Sequence, residues 1–245
     1  MSILKIGPVD FKPAVVIFDK DGTLIDFDWM WGRWVTDLAT RLETATQVVT
    51  RKQVYAALGF DAAQGRVLAQ GPLAATPMAQ LYILTIEIVE SAGLSPQSAR
   101  AAVAQAWHIP DPVTLARPFA PLKELLSRLQ TQGVKVAVAT TDDREPTLAT
   151  LQALGALDLI DTVICADDGI AVKPAPDMIT TICARLGVAP KQAVMVGDTV
   201  ADLQMGRAAQ VGLVVGVASG VSATEMLAPY ADGVIESIAD LIDFS

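Results

Sequence analysis

Short runs of apolar, often β-branched residues recur along the chain and alternate with longer stretches in which apolar residues have a helical spacing. The first run, Val15–Phe18, is continuous and is followed at once by a polar residue, which is typical of a strand buried on both faces. Five further runs predict strands at Val134–Ala139, Thr162–Ala166, Ala193–Val196, Leu213–Val217 and Gly233–Ile235.

Helices are predicted between these strands at Pro121–Gln132, Pro146–Leu154 and Pro176–Leu186. Each begins at a proline and is followed by a glycine, the usual punctuation of a helix. Strands joined by crossover helices form parallel sheets with helices on both faces. The sequence therefore predicts an α/β fold with a mostly parallel, Rossmann-like sheet, in which ligands bind beyond the carboxyl ends of the strands.

The segment 26–117 interrupts this alternation, because it lacks convincing strand runs. Its apolar spacing predicts helices at about 28–44, 47–58, 76–91 and 95–106. We therefore expect an all-helical domain at 26–117, inserted into an α/β core formed by residues 1–25 and 118–245.

The charge balance excludes some partners. The chain has 18 Lys and Arg against 27 Asp and Glu, a net charge of −9. Binding to nucleic acids or anionic membranes depends on clustered positive charge, so neither is expected. The two charge-free runs, Val67–Ile86 and Ala208–Thr224, contain several glycines or prolines and do not resemble transmembrane helices.

Two cysteines are too few for a disulfide framework, which favours a reducing compartment. The first residues show no signal peptide, so the sequence predicts a cytoplasmic protein. The sequence does not indicate the oligomeric state.

Polar residues of defined type follow four of the predicted strands. The segment DKDGT, which contains Asp19 and Asp21, follows the first strand, and Thr140 follows the second. Lys173 comes after the third strand, and GDTVAD, with Asp198 and Asp202, follows the fourth. Asp198 and Asp202 would share one face of a helix that begins at about residue 199. The carboxyl ends of parallel strands meet at one edge, so these side chains are candidates for a common site.

These four segments resemble the four motifs of the haloacid dehalogenase superfamily. DKDGT, a threonine closing the second strand, KPAPD and GDTVADL occur in the same order in this chain. The helical insertion after the first motif is similar to the small helical cap of phosphoglycolate-phosphatase-like members. The resemblance covers the organisation of the whole chain.

The resemblance implies two catalytic residues. Asp19 would be the nucleophile, which forms an aspartyl-phosphate intermediate. Asp21 would be the general acid and base, which protonates the leaving group and later activates water.

The resemblance also implies a phosphate site and a metal site. Thr140 and Lys173 would bind the phosphate. Mg²⁺ would be held by Asp19, the backbone carbonyl of Asp21 and Asp198, with Asp202 orienting a metal-bound water or supporting the ligands from behind.

The expected function is therefore a Mg²⁺-dependent phosphatase that acts on a small phosphorylated metabolite. A sugar-phosphate mutase is the main alternative, because it shares all four motifs and returns the phosphoryl group to a substrate hydroxyl instead of water. A catalytically silent binding protein of the same fold is the other alternative. The sequence does not identify the substrate.

Overall fold

The computed structural model describes residues 4–6, 9–68, 71–76, 78–108 and 111–241. The chain forms two compact units, one of Met1–Phe27 with Pro112–Ser245 and one of Asp28–Asp111. The sequence placed these boundaries near 25 and 117. Residues 112–115 group with the α/β unit because their short helix contacts the helix Arg144–Ala153.

The α/β unit is built on a six-stranded sheet in the order β10-β9-β8-β3-β6-β7, and every pairing in it is parallel. All six predicted strands are confirmed. The strands of the described chain are β1 Leu4–Ile6, β2 Val9–Phe11, β3 Val15–Phe18, β4 Phe60–Asp61, β5 Arg66–Val67, β6 Lys135–Ala139, β7 Thr162–Ile164, β8 Ala193–Gly197, β9 Leu213–Val217 and β10 Gly233–Ile235. Strands β1 and β2 form a separate antiparallel pair.

Helices cover both faces of this sheet, as predicted. The helices of the α/β unit are α6 Pro112–Leu115, α7 Leu122–Thr131, α8 Arg144–Ala153, α9 Asp177–Leu186, α10 Val200–Ala208 and α11 Thr224–Leu227. Side chains of β3 alternate between two cores: Val16 and Phe18 share one with α7 and α8, whereas Val15 and Ile17 share the other with α9 and α10. Strand β3 is therefore buried on both sides, which explains its continuous apolar sequence.

The sheet has a switch point between β3 and β8. From β3 the chain adds β6 and β7 on one side, and then returns to place β8 on the other side. Crossover connections diverge at such a point and leave a crevice at the carboxyl ends of the strands. Asp19 and Asp198 follow the two strands that flank this crevice.

The second unit is mainly helical. Its helices are α1 Phe27–Thr46, whose first residue belongs to the other unit, α2 Arg51–Leu58, α3 Pro72–Ala75, α4 Met78–Ser91 and α5 Pro96–Ala106. Trp34 is buried in this unit and meets Trp31 and Trp107 edge to face, with centroid distances of 5.6 and 5.3 Å. Within its described residues the unit departs from the all-helical expectation at the two-residue strands β4 and β5, which form an antiparallel pair.

No helix in the described part of the chain is long and apolar enough to span a membrane. The charge-free run Ala208–Thr224 forms strand β9 and the loop after it.

Candidate active site

The DKDGT segment forms a tight turn at the end of β3. Asp19 N donates to Val196 O at 2.9 Å, which extends the pairing of β3 with β8 by one residue. Two later amides, Leu24 N and Ile25 N, donate to Lys20 O at 2.9 and 3.0 Å. Gly22 has a φ of +84°, a left-handed conformation that glycine adopts without strain. The turn therefore holds its side chains at the switch point.

Three buried carboxylates meet there. Asp19, Asp198 and Asp202 each offer one oxygen, and these oxygens lie within 4.8 Å of one another. The pKa of Asp19 is raised to about 6, because burial and repulsion from Asp202 together outweigh the lowering effect of Lys173. The pKa of Asp198 is raised well above its ordinary value by burial and by repulsion from Asp19 and Asp202.

Lys173 is the cation within this carboxylate cluster. Its side chain is buried, and its ammonium forms ion pairs with Asp19 Oδ1 and with Asp202 Oδ1, the latter at 2.5 Å. Burial lowers the pKa of Lys173, but attraction to the two carboxylates outweighs it and the pKa is raised. The ammonium is therefore charged at neutral pH, and it connects the first strand end with the fourth.

Asp198 is held by neutral donors. Thr23 Oγ1 donates to its Oδ1 at 3.2 Å, and Val221 N donates to its Oδ2 at 3.0 Å. A Cβ added to Gly22 would lie 2.3 Å from Asp198 Oδ2, and one added to Gly220 would lie 1.9 Å from the same atom. Side chains larger than hydrogen are therefore excluded around this carboxylate.

The loop after β9 is a part of the site that sequence reasoning missed. Val221 binds Asp198 through its backbone, and Ser219 Oγ donates to Gly22 O at 2.9 Å. The available signal was Gly220 in a charge-free run directly after a strand, which the sequence analysis considered only as a membrane segment.

Asp202 belongs to the N-terminal capping box of α10. Thr199 Oγ1 and Thr199 N lie 2.5 and 3.1 Å from Asp202 Oδ2, and Asp202 N donates back to Thr199 Oγ1 at 3.2 Å. Thr199 is thus the residue before the helix, close to the start expected at about residue 199. The box fixes one carboxylate oxygen and leaves Oδ1 facing Lys173.

Asp21 lies outside the cluster of three. Its Oδ2 pairs with Lys20 Nζ at 2.6 Å, and Lys20 Nζ also pairs with Asp142 Oδ2 at 2.8 Å. Burial raises the pKa of Asp21 to about 7, although the charge of Lys20 lowers it. The sequence pointed to the two aspartates of the motif and gave no role to Lys20 between them.

Thr140 is buried at the end of β6, which lies beside β3 in the sheet. Its amide donates to Ile164 O at 3.0 Å, and its Oγ1 accepts from Asp142 N at 3.2 Å. Since the oxygen accepts this bond, the hydroxyl hydrogen remains available to a bound anion.

The carboxylate cluster suits a hard divalent cation. Three buried carboxylates face one ammonium, and uncompensated buried charge is costly. Asp202 Oδ1 is buried, and the Lys173 ammonium that it contacts is shared with Asp19. Carboxylate oxygens are the ligands that Mg²⁺ prefers. Asp19 and Asp198 match the implied ligand set, and Asp202 also lies within reach.

Known proteins resemble this chain over half or more of its length. A phosphoglycolate phosphatase from Rhodospirillum rubrum is 29% identical over 233 residues, which cover 95% of this chain and 90% of the relative. The pyrophosphatase PpaX from Halalkalibacterium halodurans is 33% identical over 131 residues, 53% of this chain and 60% of the relative.

A solved structure and a family model extend this comparison. The structure, from Thermotoga maritima and provisionally described as a β-phosphoglucomutase, has a TM-score of 0.65 and 18% identity, and the match covers 94% of this chain and 96% of that one. At this identity the likeness shows the shared fold alone. The model for haloacid dehalogenase-like hydrolases matches residues 13–210, which include all four strand-end segments. The chain therefore belongs to the haloacid dehalogenase-like hydrolase family.

Proposed function

We propose that this hydrolase is a Mg²⁺-dependent phosphatase that releases phosphate from a small phosphorylated metabolite through an aspartyl-phosphate at Asp19. The observation that carries the proposal is the buried Asp19 carboxylate at the switch point, in contact with Lys173 and within 4.8 Å of two further carboxylates. The phosphoglycolate phosphatase and the pyrophosphatase among its relatives support a small phosphorylated substrate.

The two steps of the reaction use Asp19 and Asp21. An oxygen of Asp19 attacks phosphorus, the ester P–O bond breaks, and the departing oxygen takes a proton from Asp21. Water then attacks the phosphorus, Asp21 takes its proton, and the bond to Asp19 breaks to release inorganic phosphate. A pKa of about 7 suits Asp21 to both roles, because it can give and recover a proton near neutral pH.

Three further residues would position the phosphoryl group and its charge. Thr140 would donate its free hydroxyl hydrogen to a phosphate oxygen, and Lys173 would neutralise the phosphate and the aspartyl-phosphate. Asp202 holds the Lys173 ammonium in place. Mg²⁺ bound by Asp19, the Asp21 carbonyl and Asp198 would stabilise negative charge on the phosphoryl oxygens.

The insertion and the two cysteines support two lesser parts of the proposal. The unit Asp28–Asp111 interrupts the α/β unit after the first motif, and we infer that it is the cap in which substrate specificity lies.

Cys165 and Cys183 are free and buried, which supports a reducing, cytoplasmic location.

The nucleophile is tested with Asp19→Asn, assayed with p-nitrophenyl phosphate and Mg²⁺. We expect a loss of at least about 10³-fold in kcat, because an amide cannot form the intermediate. Wild-type protein quenched in acid during turnover should carry one phosphoryl group by mass spectrometry, and the variant none. Asp10→Asn, which changes an exposed aspartate of the same unit, is the matched control. Turnover of Asp19→Asn near that of this control contradicts the proposal.

A sugar-phosphate mutase is the second candidate, because the Thermotoga maritima structure with this fold is described as one. Release of inorganic phosphate from hexose phosphates supports the phosphatase, whereas isomerisation without release supports the mutase. Inactivity on a broad panel of phosphate esters with Mg²⁺ favours a silent binding protein.

A further inference from the structure

Lys20 is a lysine in an unusual position. Its side chain is only 2% exposed, although lysine side chains are rarely buried unless they are paired. Its Nζ lies 2.6 Å from Asp21 Oδ2 and 2.8 Å from Asp142 Oδ2. Its pKa is raised, since attraction to these two carboxylates outweighs the effect of burial. The ammonium is thus a fixed charge enclosed beside the candidate acid.

The ion pair leaves the two oxygens of Asp21 in different states. Oδ2 is engaged by Lys20, and the Asp142 side chain also interacts directly with the Asp21 carboxyl group, whereas Oδ1 is buried and makes no hydrogen bond of normal geometry with the described residues. Buried polar atoms are normally paired, and an exception indicates strain or a functional role. With one oxygen held by Lys20, the carboxyl group cannot rotate freely, and Oδ1 remains available to a substrate atom.

Asp142 connects Lys20 to a second strand end. It follows β6, its amide donates to Thr140 Oγ1 at 3.2 Å, and its carbonyl accepts from Ala166 N at 3.0 Å. Its backbone is therefore held on both sides, although its side chain is 46% exposed. Asp142, Lys20 and Asp21 therefore form a continuous chain of contacts. It connects Thr140, which is predicted to bind phosphate, to Asp21, which is predicted to protonate the leaving group.

We propose that Lys20, anchored by Asp142, is a positioning residue that directs the free Oδ1 of Asp21 toward the leaving-group oxygen. The inference rests on the proposed function. A purely structural ion pair would instead stabilise the turn without any preference among substrates.

Leaving groups of different basicity distinguish these two roles. Nitrophenolate departs readily as an anion, whereas phenolate is more basic and gains more from a proton supplied as the bond breaks. Phenyl phosphate and p-nitrophenyl phosphate share the phosphate and the ring, so the ratio of their kcat/KM values reports on proton delivery. A variant with a smaller fraction of active enzyme changes both values equally and leaves the ratio unchanged.

The experiment compares Lys20→Gln and Asp142→Asn with the wild type in Mg²⁺. We expect kcat/KM for phenyl phosphate to fall about tenfold further than that for p-nitrophenyl phosphate in both variants, because general acid catalysis contributes about 10²–10⁴-fold and is only partly lost. Arg207→Gln, which breaks an ion pair with Asp232 at 2.8 Å, should leave the ratio unchanged.

An unchanged ratio in Asp142→Asn, in a variant that unfolds cooperatively, overturns the inference. This holds even if Lys20→Gln fails to fold, since Asp142→Asn leaves the lysine in place. A wild-type protein that hydrolyses neither ester overturns the proposed function, and this inference with it.

Discussion

The buried carboxylates of the site have different partners, and their chemical properties differ accordingly. Asp19 contacts the Lys173 ammonium and has a pKa of about 6, so it is mostly ionised at neutral pH, as its proposed role of nucleophile requires. Asp21 contacts Lys20, but burial still raises its pKa to about 7. Asp198 accepts hydrogen bonds from two neutral donors, and its pKa is raised well above its ordinary value by burial and by repulsion from its acidic neighbours. Neighbouring carboxyl groups whose pKa values are separated can take different acid and base roles, as the proposed mechanism requires.

The pKa of Asp21 predicts how activity depends on pH. An acid must be protonated to donate, so kcat/KM for phenyl phosphate should fall as the pH rises through about 7. Asp21→Asn should be much slower and should lose this falling limb, while p-nitrophenyl phosphate should show a weaker limb in the wild type. A wild-type profile that is flat from about pH 6 to pH 9 would contradict the role of Asp21 as acid.

The residues that sequence analysis predicted are those whose side chains identify them. Asp19 and Asp198 were predicted because an acidic residue directly after an apolar strand stands out in the sequence. Val221 contributes a backbone amide and Gly220 contributes the lack of a side chain, so neither has a chemical signature. Lys20 resembles any surface lysine until its burial is known.

At the scale of elements, the strands that contain adjacent apolar residues were the ones predicted. All six strands of the large sheet contain such a pair, whereas β1 and β2, which have a charged residue between two apolar ones, were not predicted. Strands β4 and β5 have two residues each, too few to show an alternating pattern. The sequence analysis placed a helix start at about residue 199, and the cap at Thr199 explains why α10 begins at Val200.

The cap of α10 should matter for activity as well as for stability. Thr199→Ala removes the hydroxyl that holds Asp202 Oδ2, so we expect a loss of about 1 kcal/mol in the free energy of unfolding and a clear fall in kcat. Thr50→Ala removes the equivalent hydroxyl from the capping box of α2, in the other unit. It should cost similar stability and leave kcat unchanged. Equal kcat values in the two variants, measured on folded protein, would show that Asp202 needs no orientation by Thr199.

At the scale of the whole molecule, the charge of −9 is distributed unevenly. Residues 26–117 have eight acids and seven bases, so nearly all of the negative excess lies in the α/β part. Part of it is the carboxylate cluster, where Lys173 compensates only some of the charge. Folding must therefore bring like charges together, and a divalent cation would relieve their repulsion.

This repulsion predicts how metal, pH and stability are linked. The pKa of Asp198 is raised in the folded state, so its contribution to stability is present at low pH and is lost as the pH rises through the raised pKa. In EDTA, Asp198→Asn should therefore have a higher melting temperature than the wild type, and the difference should be larger at pH 8 than at pH 5. Each kcal/mol of repulsion that the substitution removes should raise the melting temperature by about 2–4 °C. Thr23 and Val221 can still hydrogen-bond the amide of the variant, since the threonine hydroxyl can accept as well as donate.

Mg²⁺ should raise the melting temperature of the wild type and of Asp10→Asn, but hardly that of Asp198→Asn, which lacks one of the proposed ligands. Equal stabilisation of all three proteins by Mg²⁺ would place the cation elsewhere.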